Sequence, residues 1–120
     1  MILVRSRIVS VSCNPRNLAA RHILLERAGF DVTSVASTFD ALDLLANHEF
    51  SAVVIGYEFS FTEKQLFAAD VSERWNLPMV ILRSSDDDIS GDDATEATKR
   101  GESLISSLNS MLEERLKRLA

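Results

Sequence analysis

The sequence predicts a doubly wound α/β domain, with five parallel strands and helices on both faces of the sheet. Three observations carry this expectation. Ala52, Val53, Val54 and Ile55 form an unbroken apolar run, too short for a typical helix and rich in β-branched side chains. Such a run suits a strand covered on both faces. Met79-Val80-Ile81-Leu82 is a second run of the same kind. Between the short apolar runs lie longer segments with helical periodicity and capping residues, giving the alternation β-α-β-α-β-α-β-loop-β-α.

Arg7 to Ser12 reads as the first strand, and Ile2 to Val4 could extend it at its start. Asn14-Pro15 opens a helix: Asn is a good N-cap, and Pro at the first helical position has no N–H to leave unpaired. This helix should run to about Ala28, with Leu18, Leu25 and Ala28 on one face and Gly29 as its stop. His22 lies beside that stripe and reads as a packing residue, since no second ligand stands at a helical spacing from it. Asp31 to Ala36 is the second strand. Ser37-Thr38-Phe39-Asp40 has the form of a capping box, opening a helix with Ala41, Leu42 and Leu45 inward. His48 falls in the last turn, where a cation complements the helix dipole. Ser51 to Tyr57 holds the third strand. Thr62-Glu63-Lys64-Gln65 reads as another capping box, with Phe67, Val71 and Trp75 inward after it.

After the fourth strand, Ser84 to Asp93 has the composition of an acidic loop. Asp86-Asp87-Asp88-Ile89-Ser90-Gly91 matches the first half of a calcium loop, but the twelfth position is Ala97 where a bidentate glutamate belongs. A solvated loop is the better reading, and no metal site is expected. A weak fifth strand is placed at Ala94 to Thr98. The chain closes on an amphipathic helix with Leu104, Ile105, Leu108, Met111, Leu112 and Leu116 inward.

Composition narrows the function classes. The 120 residues, 46% hydrophobic and 26% charged, fit a single domain over residues 1–120. A net charge of −5 gives no bulk support for a nucleic-acid or anionic-membrane partner. One cysteine, Cys13, excludes an internal disulfide and fits a reducing compartment. No apolar run has transmembrane length, and Met1 to Arg5 does not make a signal peptide, so a cytoplasmic location is expected. No glycine-rich phosphate loop follows the first strand, and no cofactor is expected. Cys13 sits beside a helix N-terminus, which can activate a thiol, but no histidine is placed by sequence to assist it.

With the elements in place, the chain resembles the receiver domain of bacterial response regulators over nearly its whole length. Arg7-Ile8-Val9 through Pro15, Glu26-Arg27-Ala28-Gly29-Phe30, Asp40-Ala41-Leu42 and Leu77-Pro78-Met79-Val80-Ile81-Leu82 carry the likeness. The resemblance implies a flavodoxin-like sheet of order 2-1-3-4-5, with the last helix beside the first. It also implies a phosphorylation pocket, and there the chain departs from the pattern. The two metal-holding acids match Ser12 and Cys13, and the phosphate-accepting aspartate matches Gly56, followed by Tyr57. The switch threonine or serine matches Arg83, with Ser84 next to it. The lysine matches Lys99, with Arg100 an equal alignment. The receiver's fourth helix is reduced to the acidic loop or absent.

Glycine offers no carboxylate nucleophile, and Ser12 with Cys13 makes a poor site for a hard cation. The expectation is a degenerate receiver that takes no phosphoryl group and has no catalytic residue. It would act as an interaction module for a protein partner in signalling, with Ser12, Cys13, Gly56, Tyr57, Arg83 and Lys99 marking the vestigial pocket. The alternative is a small flavodoxin-like enzyme or anion-binding protein using Cys13, Arg83 and Lys99. Glu58 reads first as a solvated loop carboxylate and second as a permanent negative charge reaching into the pocket. A homodimer is a further expectation, formed through the fourth and fifth strands and the last helix and burying Leu116 and Leu119.

Overall fold

A computed structural model describes residues 5–82 and 94–119, with side chains for 5–82 and 103–117. Strand β1 (Arg7–Val11) leads into helix α1 (Pro15–Arg27), β2 (Asp31–Val35), α2 (Thr38–Asn47), β3 (Ala52–Ile55), α3 (Phe61–Trp75), β4 (Met79–Ile81) and α4 (Ala94–Leu119). The four strands form one parallel sheet in the order β2-β1-β3-β4. This is the expected doubly wound α/β, flavodoxin-like architecture, with β1 and β3 at its centre.

Alternation along the strands sorts the core into two layers. Ile8, Val32, Ala52 and Val54 face α1 and α4, meeting Leu25, Leu104 and Leu108. Val9, Val11, Val53 and Ile55 face α2 and α3, meeting Ala41, Leu45, Phe67 and Val71. All four residues of β3 are fully buried, as a strand covered on both sides requires. The last helix packs beside the first on one face.

The caps follow local chemistry. Asn14 Oδ1 accepts from the N–H groups of Arg16 and Asn17, and Ser37 Oγ accepts from Asp40 N. Gly29, just past α1, has φ +99°, a conformation that suits only a residue without a Cβ. His48 occupies the C-cap of α2, its backbone N–H bonded to Leu44 O. His22 is half-buried, with Nδ1 2.8 Å from Ser34 Oγ and Nε2 3.1 Å from Glu26, so it ties α1 to the edge strand β2.

Four expectations need correction. The proposed fifth strand at Ala94 to Thr98 is the start of α4. Ala, Glu, Lys and Arg dominate residues 94–100, and with no apolar alternation to pin them to a sheet their helical preference prevails. The cap of α3 is Ser60, whose Oγ accepts from Glu63 N, two residues before the expected box. Ser60 and Glu63 keep the same three-residue spacing, so the motif was right and its register wrong. The buried face of α1 carries Asn17, Arg21 and Leu25, while Ala28 is exposed. Leu116, expected inward, is 67% exposed. The acidic loop, the reduced fourth helix, Arg83 and the Ile2 to Val4 extension lie outside the described residues.

Candidate functional site

Parallel register brings the carboxyl ends of the strands into one row. Val11 pairs with Val35 and with Ile55, and Ile55 pairs with Ile81. The ladder continues one residue further: Ser12 N donates to Val35 O, Gly56 N to Val11 O and Leu82 N to Ile55 O. Ser12, Gly56 and Leu82 therefore stand side by side where doubly wound sheets place their ligands.

That row is closed by a side chain from the loop after β3. The Glu58 carboxylate turns back over Gly56 and accepts a hydrogen bond from Ser12 Oγ. Its two oxygens lie 3.3 and 3.1 Å from Nη2 of Arg21. Arg21 is fully buried and Glu58 is 9% exposed at the side chain. A Cβ built on Gly56 would lie 2.5 and 2.6 Å from the two Glu58 oxygens and 2.8 Å from Arg21 Nη1. The carboxylate thus occupies the space that a side chain at position 56 would enter. A glycine is required here by occupancy and not by backbone conformation, since Gly56 lacks a positive φ.

The surroundings fix this ion pair. Arg21 sits one helical turn from both Asn17 and Leu25 on the inner face of α1. Asn17 Nδ2 donates to the Tyr57 hydroxyl at 3.2 Å, anchoring the residue between Gly56 and Glu58. Ser12 Oγ also accepts from Asn14 N at 3.1 Å, so one hydroxyl serves both the loop into α1 and the carboxylate. On the other side of the sheet Lys64, 8% exposed, donates from Nζ to Leu82 O at 3.4 Å. Two cations thus sit near one edge of the sheet, each with a partner.

Of the residues expected to mark the pocket, Ser12, Gly56 and Tyr57 come together. Cys13 is exposed beside them. Arg83 is not described, and Lys99 lies within α4 with its side chain outside the described residues. Glu58 is not the solvated carboxylate of the first reading; the second reading, an inward negative charge, matches its position. Arg21, Asn17 and Lys64 were not anticipated. An apolar stripe orients each helix in the sequence, whereas these polar residues sit within the buried face. A buried pair linking residues 37 positions apart leaves no local pattern.

Several solved structures of receiver domains share this fold. The chain is similar to the signal receiver domain of an HD domain-containing protein from Pseudomonas fluorescens Pf-5 (TM-score 0.74, 16% identity, covering 98% of this chain and 94% of that one). It is equally similar to a CheY-like response regulator receiver domain protein from Methanospirillum hungatei JF-1 (TM-score 0.74, 16% identity, 96% and 99% covered). A response regulator receiver protein from Pseudomonas putida matches at TM-score 0.65 and 14% identity, with 91% and 99% covered. The fold is that of response-regulator receiver domains. No protein-family model and no curated protein sequence matches the chain.

The divalent cation of receiver chemistry does not fit the residues present. Ser12 is engaged by Asn14 and Glu58, Cys13 offers an exposed thiol, and the Glu58 carboxylate is held by a guanidinium. A hard cation needs several oxygen ligands and gains nothing beside a buried positive charge. No group of three or more His, Cys, Asp and Glu residues suited to a metal occurs among the described residues. No described helix is long and apolar enough to cross a membrane.

Proposed function

We propose that this chain is a signalling module on the receiver fold that binds a protein partner and accepts no phosphoryl group. One observation carries the reading: the Glu58 carboxylate, paired with buried Arg21, fills the position from which an acceptor aspartate would project. A carboxylate there supplies a fixed negative charge without a nucleophile, a metal or a leaving group. The module is then held in one state, and its information lies in its surfaces. Phe39 and Phe61, at the first turns of α2 and α3, are 78% and 74% exposed and are available to such a partner. The alternative of an enzyme or anion binder at the strand ends has less support, because an anion would meet Glu58 before reaching Arg21.

The test is incubation with Mg²⁺ and acetyl phosphate followed by intact mass measurement. An unchanged mass is expected. A phosphoryl adduct on any residue of the pocket overturns the proposal.

A further inference from the structure

A large cavity lies far from this site, at the amino end of the sheet. It encloses about 840 Å³ between the start of β1 and the C-terminal ends of α2, α3 and α4. Its floor is apolar, formed by Leu45, Phe50, Trp75, Leu77 and Leu112, with exposed Leu116 at its rim. A second cavity of about 340 Å³ adjoins this trough beneath β3 and β4, sharing Trp75, Leu77 and Arg115 and adding the Glu114 carboxylate. Three guanidinium groups line the larger part, Arg5, Arg7 and Arg115, against one carboxylate, Glu49. With Asp31 beside Arg7, the larger cavity carries three guanidinium groups against two carboxylates, a small local excess of positive charge in a chain of net charge −5.

Two of these arginines are held in place by the fold. Arg7 stacks on the Phe50 ring at 4.6 Å and donates to Glu49 O, with Asp31 3.9 Å away. Arg115 donates Nη1 to Ser51 O at 3.1 Å. Each contact fixes a guanidinium at the trough while leaving further N–H donors on the same planar group.

We propose that this trough is the docking site for an acidic segment of a partner protein, seating apolar side chains on the floor and carboxylates against Arg5, Arg7 and Arg115. Charge complementarity selects this occupant. A second copy paired symmetrically here would bring three arginines against the same three. A nucleic acid would waste the apolar floor and meet a net negative chain. Guanidinium groups bind carboxylates in bidentate fashion, and fixed ones do so with less ordering cost. The inference rests on reading the chain as an interaction module, but its site and its assay are separate from the phosphoryl question.

Trp75 is the chain's only tryptophan and lies in the trough, so its emission reports occupancy. The full chain is titrated with a short synthetic peptide alternating glutamate and leucine, and with the matching glutamine and lysine peptides. Saturable change with the glutamate peptide is expected. The double variant Arg5→Glu, Arg115→Glu, checked for folding by circular dichroism, should bind that peptide at least about tenfold more weakly and prefer the lysine peptide. Equal binding of glutamate and glutamine peptides overturns the proposal, as does a charge-reversed chain that keeps its original preference. A Trp75 change that follows protein concentration without peptide also overturns it, since a second copy would then be the occupant. The mass assay on the same chain reports phosphoryl acceptance independently, so either proposal can fail alone.

Discussion

At the carboxyl end of the sheet the polar groups face one another; at the amino end they face outward. Glu58, Arg21 and Ser12 form a closed set in which the guanidinium is fully buried and the carboxylate nearly so. Arg7 and Arg115, at the other end, are held by backbone carbonyls, one aromatic ring and the exposed Asp31 carboxylate, around an apolar trough. Among the described residues, the same strands and helices therefore end in a filled pocket on one side and an open trough on the other. In doubly wound sheets the carboxyl end is the usual place for ligands. Here the protein supplies its own occupant at the strand ends, and the proposed docking trough lies opposite.

The sharpest way to break this contrast is to remove the internal occupant. Glu58→Ala leaves Arg21 buried without its carboxylate, and breaking one side of a buried pair costs about 3–5 kcal/mol. Arg115→Glu, at the open end, should change stability by less than about 1 kcal/mol, because that group is partly exposed. Urea unfolding measures both. Equal costs at the two ends would show that the carboxyl end is not closed in the sense argued.

Placing a side chain at Gly56 is the next largest change. Gly56→Asp brings a second carboxylate within contact of the first and should cost about 2 kcal/mol through crowding and like-charge repulsion. In the Glu58→Ala background the new aspartate can take over Arg21. The double variant should then be more stable than the sum of the two single losses by at least about 1 kcal/mol. Simple additivity in the urea midpoints would mean that the two side chains do not compete for one space.

Much of the architecture was legible because it rests on local signals. The apolar run Ala52 to Ile55, the Asn14-Pro15 start and Gly29 each act within a few residues, and each falls where expected. The misplaced fifth strand shows the limit: Ala94 to Thr98 has no strand alternation, and a weak strand placed there has no local signal to support it. The site was half legible. Gly56 stands where the resemblance places an acceptor aspartate, and its spacing to Glu58 suggests the second reading of that residue. What the sequence could not reveal was Arg21, because a cation on the inner face of a helix makes sense only once its carboxylate partner, from a distant loop, is known. The trough was invisible for a related reason. Its lining comes from the ends of four elements, and no short stretch contains more than a part of it.

A smaller loss tests whether Ser12 belongs to the closed set. Its hydroxyl accepts from Asn14 N and donates to Glu58. Ser12→Ala should cost about 1.5 kcal/mol, the range for one hydrogen bond to a charged acceptor, with the fold retained. A cost near zero in urea unfolding would show that Arg21 alone holds the carboxylate.

The least change in stability belongs to Leu116→Asp, at the rim of the trough. The residue is 67% exposed, so little apolar burial is lost. An aspartate near a helix C-terminus has an unfavourable dipole interaction and lower helix propensity, together about 0.5–1 kcal/mol. Its effect on association separates the occupants. If the trough receives an acidic segment, the parent chain is monomeric by sedimentation equilibrium and Leu116→Asp leaves its mass unchanged. The added carboxylate would then weaken binding of the glutamate-leucine peptide, because it competes for the same arginines and removes an apolar contact. If the end of α4 instead pairs with a second copy, the parent sediments as a dimer and the variant as a monomer. The single substitution thus distinguishes an open end awaiting a different chain from one that this chain closes on itself.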